Sequence, residues 1–125
     1  MTMRVPPNDL FAEQSVLGAM LLNPGVALEM VQRLHPQCFY KPAHGHVMAA
    51  IMDLVGDGEP VDVATVAARM GDDLLGQIGG PTVLLDMTAA VPAISNASSY
   101  AKTVLEAYGL RQQILAGAEI VEAGY

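Results

Sequence analysis

The placing of the helix breakers limits this chain more than any other feature. All eight prolines lie before residue 93, at Pro6-Pro7, Pro24, Pro36, Pro42, Pro60, Pro81 and Pro92, and glycine-rich turns (Gly56-Asp57-Gly58, Gly71, Gly79-Gly80) stand between them. Proline lacks the backbone N–H and is tolerated only in the first turn of a helix. No helix in the first 94 residues can therefore be long. After Ser95-Asn96, which offers an N-cap, no proline interrupts the chain up to its last residue, Tyr125. The spacing predicts several short helices and then one long one.

Apolar periodicity fills in those segments. Asn8 or Asp9 can cap a first helix over residues 10–22, with Val16, Leu17, Met20 and Leu21 on one stripe, ending at Asn23-Pro24. A second helix is expected from about Gly25 to Leu34, with Leu28, Val31 and Leu34 inward, closed by His35-Pro36. Residues 37–40 read as a buried connector. A third helix opens at Pro42 and runs to about Val55, burying Val47, Met48, Ile51, Met52 and Val55. Asp62 can cap a fourth, through Val63, Val66, Ala67 and Met70, which Gly71 breaks and Asp72-Asp73 restarts as a short piece, Leu74 to Ile78. Pro81 opens a further helix through Val83, Leu84, Leu85, Met87 and Thr88. In the last segment, Tyr100, Val104, Ala107, Leu110, Ile114, Ala118 and Val121 fall three or four apart, with Ala101, Leu105, Tyr108 and Leu115 beside them. That apolar face is wider than a surface helix needs. No stretch alternates as a half-buried strand does. The fold class is all-α: a flexible arm (1–7), a compact head of five or six short helices (8–94), and a long helix (95–125).

Composition narrows the function. The chain is 52% hydrophobic with no Trp, so its core is built of aliphatic side chains and eight Met. Thirteen acidic residues oppose six basic ones, a net charge of −7. A domain that grips nucleic acid needs clustered Lys and Arg to neutralise phosphates, so strong direct nucleic-acid binding is not expected. No apolar run approaches the ~20 residues that span a bilayer, and the N-terminus lacks a signal-peptide core. The lone Cys38 excludes an internal disulfide and fits a reducing, cytoplasmic setting.

Catalytic and ligand motifs are missing. The P-loop pattern requires a Lys and a Ser or Thr after its glycines; Gly76-Gln77-Ile78-Gly79-Gly80-Pro81 has neither and reads as a turn. His44 and His46 point about 200° apart on a helix and cannot share a metal. His44, beside the helix start Tyr40-Lys41-Pro42, is expected to have a structural job. Cys38 has no basic neighbour within two residues to activate it, so a buried inert thiol is expected. Asp57, Glu59 and Asp62 lack the terminal Glu of a calcium loop. Asn96-Ala97-Ser98 matches a glycosylation acceptor without a secretory signal. No catalytic residue, cofactor or metal is expected in these residues, which leaves a helical binding or assembly module.

The segment Asp9-Leu10-Phe11-Ala12-Glu13-Gln14-Ser15-Val16-Leu17-Gly18-Ala19-Met20-Leu21-Leu22 resembles the start of the N-terminal domain of the DnaB-type replicative DNA helicases. The similarity continues in order through Phe39-Tyr40 with His44, Gly58-Glu59-Pro60-Val61-Asp62, Ile78-Gly79-Gly80, Val91-Pro92 with Asn96, Tyr100-Ala101 and Leu110-Arg111, covering nearly the whole chain.

The resemblance implies that the long helix is the first arm of a helical hairpin. Hairpins of two subunits pair, and three such homodimers form the collar of a homohexamer that docks the primase C-terminal domain and is met by helicase loaders. The parent would be an ATP-dependent 5′–3′ DNA helicase, with ATP and Mg bound in a separate C-terminal domain; Tyr125 is expected to precede it, so these residues alone should be inactive. Candidates for dimer packing are Val104, Leu110, Ile114, Ala118 and Val121, each of which could instead pack on its own head. Candidates for primase contact, matched by motif, are Val83, Ile114 and Ile120. The family often has Tyr-Leu after Gly-Gly, where this chain has Val83-Leu84. The competing reading is a free-standing acidic helical adaptor or regulator that shares this head.

Overall fold

A computed structural model describes residues 5–123, with side chains placed through Gly117. Its regular structure is helical: α1 (Leu10–Leu22), α2 (Pro24–Met30), α3 (Pro42–Gly56), α4 (Val63–Ile78), α5 (Pro81–Ala90) and α6 (Ala97–Ala123), with 3-10 turns at Pro36–Cys38 and Ile94–Asn96. The boundaries follow the local chemistry. Asp9 caps α1 by accepting the Ala12 N–H at 2.9 Å. Asn23 ends α1 and also caps α2, accepting from Gly25 and Val26 while Pro24 takes the first helical position. Asp62 and Thr65 form a reciprocal capping box at the start of α4. Gly71 (φ 79°, ψ 161°) breaks α4 where the sequence places a break, and Gly79 (φ 114°) ends it in the left-handed conformation that favours glycine.

The second helix is shorter than its periodicity predicts. It ends at Met30 and gives way to a turn, so the buried residues are Ala27, Met30 and Leu34, while Leu28 is exposed. Leu28, Val31 and Leu34 share a helical stripe only if the helix continues, and here Leu34 reaches the core from the turn instead. The third helix buries His44, Ala50 and Leu54 as well as the expected Val47, Met48 and Ile51.

α1 is the central helix. Every residue from Ala12 to Leu21 except Gln14 is buried, as expected of a helix enclosed on all sides. It packs chiefly against α5 and α6, and α3 packs on α4. Gly18 permits the approach of α5: a Cβ there would stand 2.1 Å from the Met87 carbonyl oxygen.

The long helix spans about 40 Å at 1.5 Å per residue. Its first third closes the core through Ala97, Ala101 and Val104, with Tyr100, Leu105 and Tyr108 half-buried behind them. Val104, a candidate for the dimer seam, is thus spent inside its own head at 1% exposure. Its apolar side chain packs into the core cluster of its own domain.

Candidate functional site

The site is organised by a buried polar knot. Glu13 is 1% exposed on α1, and its Oε1 lies 2.8 Å from His44 Nδ1. Its Oε2 accepts the Tyr40 N–H at 2.7 Å and its Oε1 the Lys41 N–H at 3.3 Å. A carboxylate thus serves the donors at the start of α3, where backbone N–H groups lack helical partners and favour negative charge. Because the carboxylate only accepts, Nδ1 carries the imidazole proton. This is the structural job expected of His44. Glu13 is the partner sequence reasoning missed.

The knot holds the connector 37–40 against α1, and α6 crosses it through Arg111. Arg111 donates to the Pro7 carbonyl at 2.7 Å and to the Cys38 carbonyl at 2.8 Å. Its guanidinium lies 5.5 Å from the centre of the Tyr40 ring and 5.8 Å from that of Tyr108, within cation–π range. The edge of the His35 ring also meets Tyr108, at 5.5 Å. Cys38 is buried beneath; desolvation pushes its thiol up, outweighing the lowering by the His35 backbone and Arg111.

Beyond this junction α6 changes character. Leu110, Ile114 and Leu115 are all at least half exposed. On the first turn of α1, Leu10 and Phe11 are exposed as well. Val83 is half-buried on α5 and lines a cleft of about 270 Å³ with Leu10, Gln14, Lys41, His44, Asp86 and Met87. Among the described residues no three His, Cys, Asp or Glu side chains group to hold a metal. What the arrangement offers is apolar side chains on fixed helices, a surface for another helix.

The predicted site residues therefore separate. Leu110 and Ile114 are exposed together on α6; Val104 is core; Val83 lies in a separate cleft on α5. The side chains of Ala118, Ile120 and Val121 lie outside the described residues. Leu115 belongs to the exposed stretch and Arg111 is half-buried at its start; in the sequence they are legible only as a flanking apolar position and a family landmark. Phe11 carried no site signal, since an aromatic at the start of an apolar helix reads as core.

Residues 5–106 match the DnaB-like helicase N terminal domain. The chain belongs to that family. It is 46% identical over 123 residues to the replicative DNA helicase DnaB of Mycobacterium leprae, covering 98% of this chain and 20% of that protein. With the Geobacillus stearothermophilus DnaB it is 37% identical, covering 98% and 27%. This DnaB-like domain thus spans about a fifth to a quarter of those relatives. The N-terminal domain of DnaB helicase from Mycobacterium tuberculosis superposes with a TM-score of 0.92 at 47% identity, covering 97% of this chain and 87% of that one. The N-terminal domain of DnaB helicase from Helicobacter pylori, described together with its interactions with primase, gives a TM-score of 0.77 at 25% identity, covering 92% and 91%.

Proposed function

We propose that this DnaB-like domain is the collar module of a hexameric replicative helicase, pairing subunits through α6 and docking primase or a loader. One observation carries the reading: α6 leaves the head with Ala101 and Val104 buried and then presents Leu110, Ile114 and Leu115 to solvent. Contiguous exposed apolar surface of this kind marks a partner site. Burying one such Leu or Ile is worth about 1.5–3 kcal/mol. That the H. pylori relative is described with primase supports the choice of partner. In this reading α6 is one arm of a hairpin; ATP, Mg and the main grip on DNA belong to another domain of the whole cytoplasmic protein.

The dimer seam is assigned to Leu110, Ile114 and the following α6 positions Ala118 and Val121, and the primase contact to Val83, Ile114 and Ile120. Two measurements test this. Sedimentation equilibrium should show concentration-dependent dimers that Leu110→Asp weakens. Calorimetry should show binding of the cognate primase C-terminal domain, lost in Ile114→Asp. A strict monomer at millimolar concentration refutes the seam. No heat at high micromolar concentration, from a form carrying both hairpin arms, refutes the docking.

A further inference from the structure

Residues 5–7 are fixed along α6. The two N–H groups of Arg111 fork to the carbonyls of Pro7 and Cys38, so one guanidinium holds the arm, the connector and the long helix together. Proline restricts φ and has no N–H to satisfy, so Pro6-Pro7 can lie extended without a sheet or helix partner. Between this arm and α6 is a cavity of about 420 Å³, lined among the described residues by Val5, Pro6, Pro7 and Ile114.

We infer that the N-terminal arm is one wall of the docking face, that this cavity receives an apolar side chain from a helix of the primase partner, and that Arg111 is the positioning residue that holds the wall in place. The inference rests on the docking role proposed above. The lining determines the chemistry of the guest. The Pro7 carbonyl is taken by Arg111 and the Pro6 carbonyl by the Asn8 side chain at 2.9 Å. Neither proline has an N–H, and Val5 and Ile114 have apolar side chains. A polar or charged guest would lose its hydration and find few partners, whereas a Leu, Ile or Phe would not. The exposed Leu110 and Leu115 lie within a turn of Ile114 along α6. They suit further apolar positions of the same helix, three or four residues from the anchor. The net charge of −7 favours a primase helix with basic flanks.

Three variants test this by calorimetry against the cognate primase C-terminal domain: a chain starting at Asn8, Arg111→Lys and Val5→Asp. Lysine cannot fork to two carbonyls as a guanidinium does. Val5 is 70% exposed, so its change should leave the melting temperature unaltered. Each variant is expected to weaken binding about tenfold or more, as loss of a buried anchor does. Val5→Asp is the decisive case, because a purely structural role of the arm would leave its affinity intact. All four proteins are compared in a form carrying both hairpin arms; if the form without substitutions does not bind, the docking role fails and this inference with it. If it binds and all three variants bind within twofold of it, or the shortened chain binds more tightly, the wall is overturned while docking stands. Loss of self-association without loss of primase binding would assign the cavity to a second copy and also overturn the inference.

Discussion

Glu13 should be among the most sensitive positions in the domain, and its two conservative replacements should differ by a predictable amount. Three donors meet its carboxylate: the Tyr40 N–H at 2.7 Å, His44 Nδ1 at 2.8 Å and the Lys41 N–H at 3.3 Å. Glu13→Gln keeps the volume. Its amide oxygen can still accept from Tyr40. Its NH₂ then faces His44, which can turn acceptor by moving its proton to Nε2, and Lys41 loses its partner. Two charge-assisted bonds become neutral ones, each losing about 1 kcal/mol, and the Lys41 bond, already long at 3.3 Å on an exposed residue, adds little, so the loss is about 2 kcal/mol.

Glu13→Ala leaves the buried His44 Nδ1 without its partner, frees the part-buried Tyr40 and Lys41 N–H groups and opens a cavity, so the loss is about 3–5 kcal/mol. For a domain of this size 1 kcal/mol moves the melting temperature by about 4 °C. The expected shifts are therefore about 8 °C for Gln and about 12–20 °C for Ala, at the same rate of conversion. Urea unfolding followed by circular dichroism gives the free energies, and a double-mutant cycle with His44→Ala isolates the pair. Equal, small losses for Gln and Ala, or a coupling energy below ~0.5 kcal/mol, would refute the account.

Two further outcomes follow from the packing of α1. Gly18→Ala puts a Cβ 2.1 Å from the Met87 carbonyl oxygen and 2.5 Å from Val91 Cγ2, forcing α1 and α5 apart. It should destabilise by about 3 kcal/mol, whereas Gly76→Ala on α4, with nothing within 4 Å of the new Cβ, should stabilise by up to ~1 kcal/mol; thermal melts of the pair decide. Ser15 is fully buried, and among the described residues its hydroxyl has no hydrogen-bond partner. Ser15→Ala should therefore raise stability by about 1 kcal/mol in urea unfolding, and a loss of that size would show that the hydroxyl is satisfied.

What the sequence disclosed was whatever depends on near neighbours. Asp62 with Thr65, Asn23 before Pro24, and the break at Gly71 are all contacts or torsions within a few residues. The length of α6 follows from the absence of proline alone. The errors came where the outcome depends on distant parts of the chain. Glu13 meets partners 27 to 31 residues away, and no local pattern marks it beyond its place among Ala12, Ser15 and Val16, all buried. Val104 and Ile114 have the same apolar character on the same helix. Only the extent of the head, which ends against α6 near Tyr108, sends one into the core and leaves the other outside. Leu28 is the reverse case: its periodicity was sound, but the helix stopped.

The same contacts bear on the acidic balance. Of the six basic residues, Arg69 is tied to Asp53 and Asp57 at 2.7 Å each, Arg33 to Ser98, and Arg111 to two carbonyls between two tyrosine rings. These arginines spend their donors inside the domain, joining α3 to α4, the turn after α2 to α6, and the arm to α6. Phosphate binding needs cations that can give up their present partners to an incoming backbone; here these three arginines are already engaged in contacts between elements of the domain. These three arginines are therefore better understood as fasteners within the domain than as a nucleic-acid grip. The exposed row on α6 is apolar, and the domain as a whole carries a net charge of −7. A partner with basic flanks should be met at a rate that falls with added salt, while the apolar contacts that hold it depend far less on ionic strength.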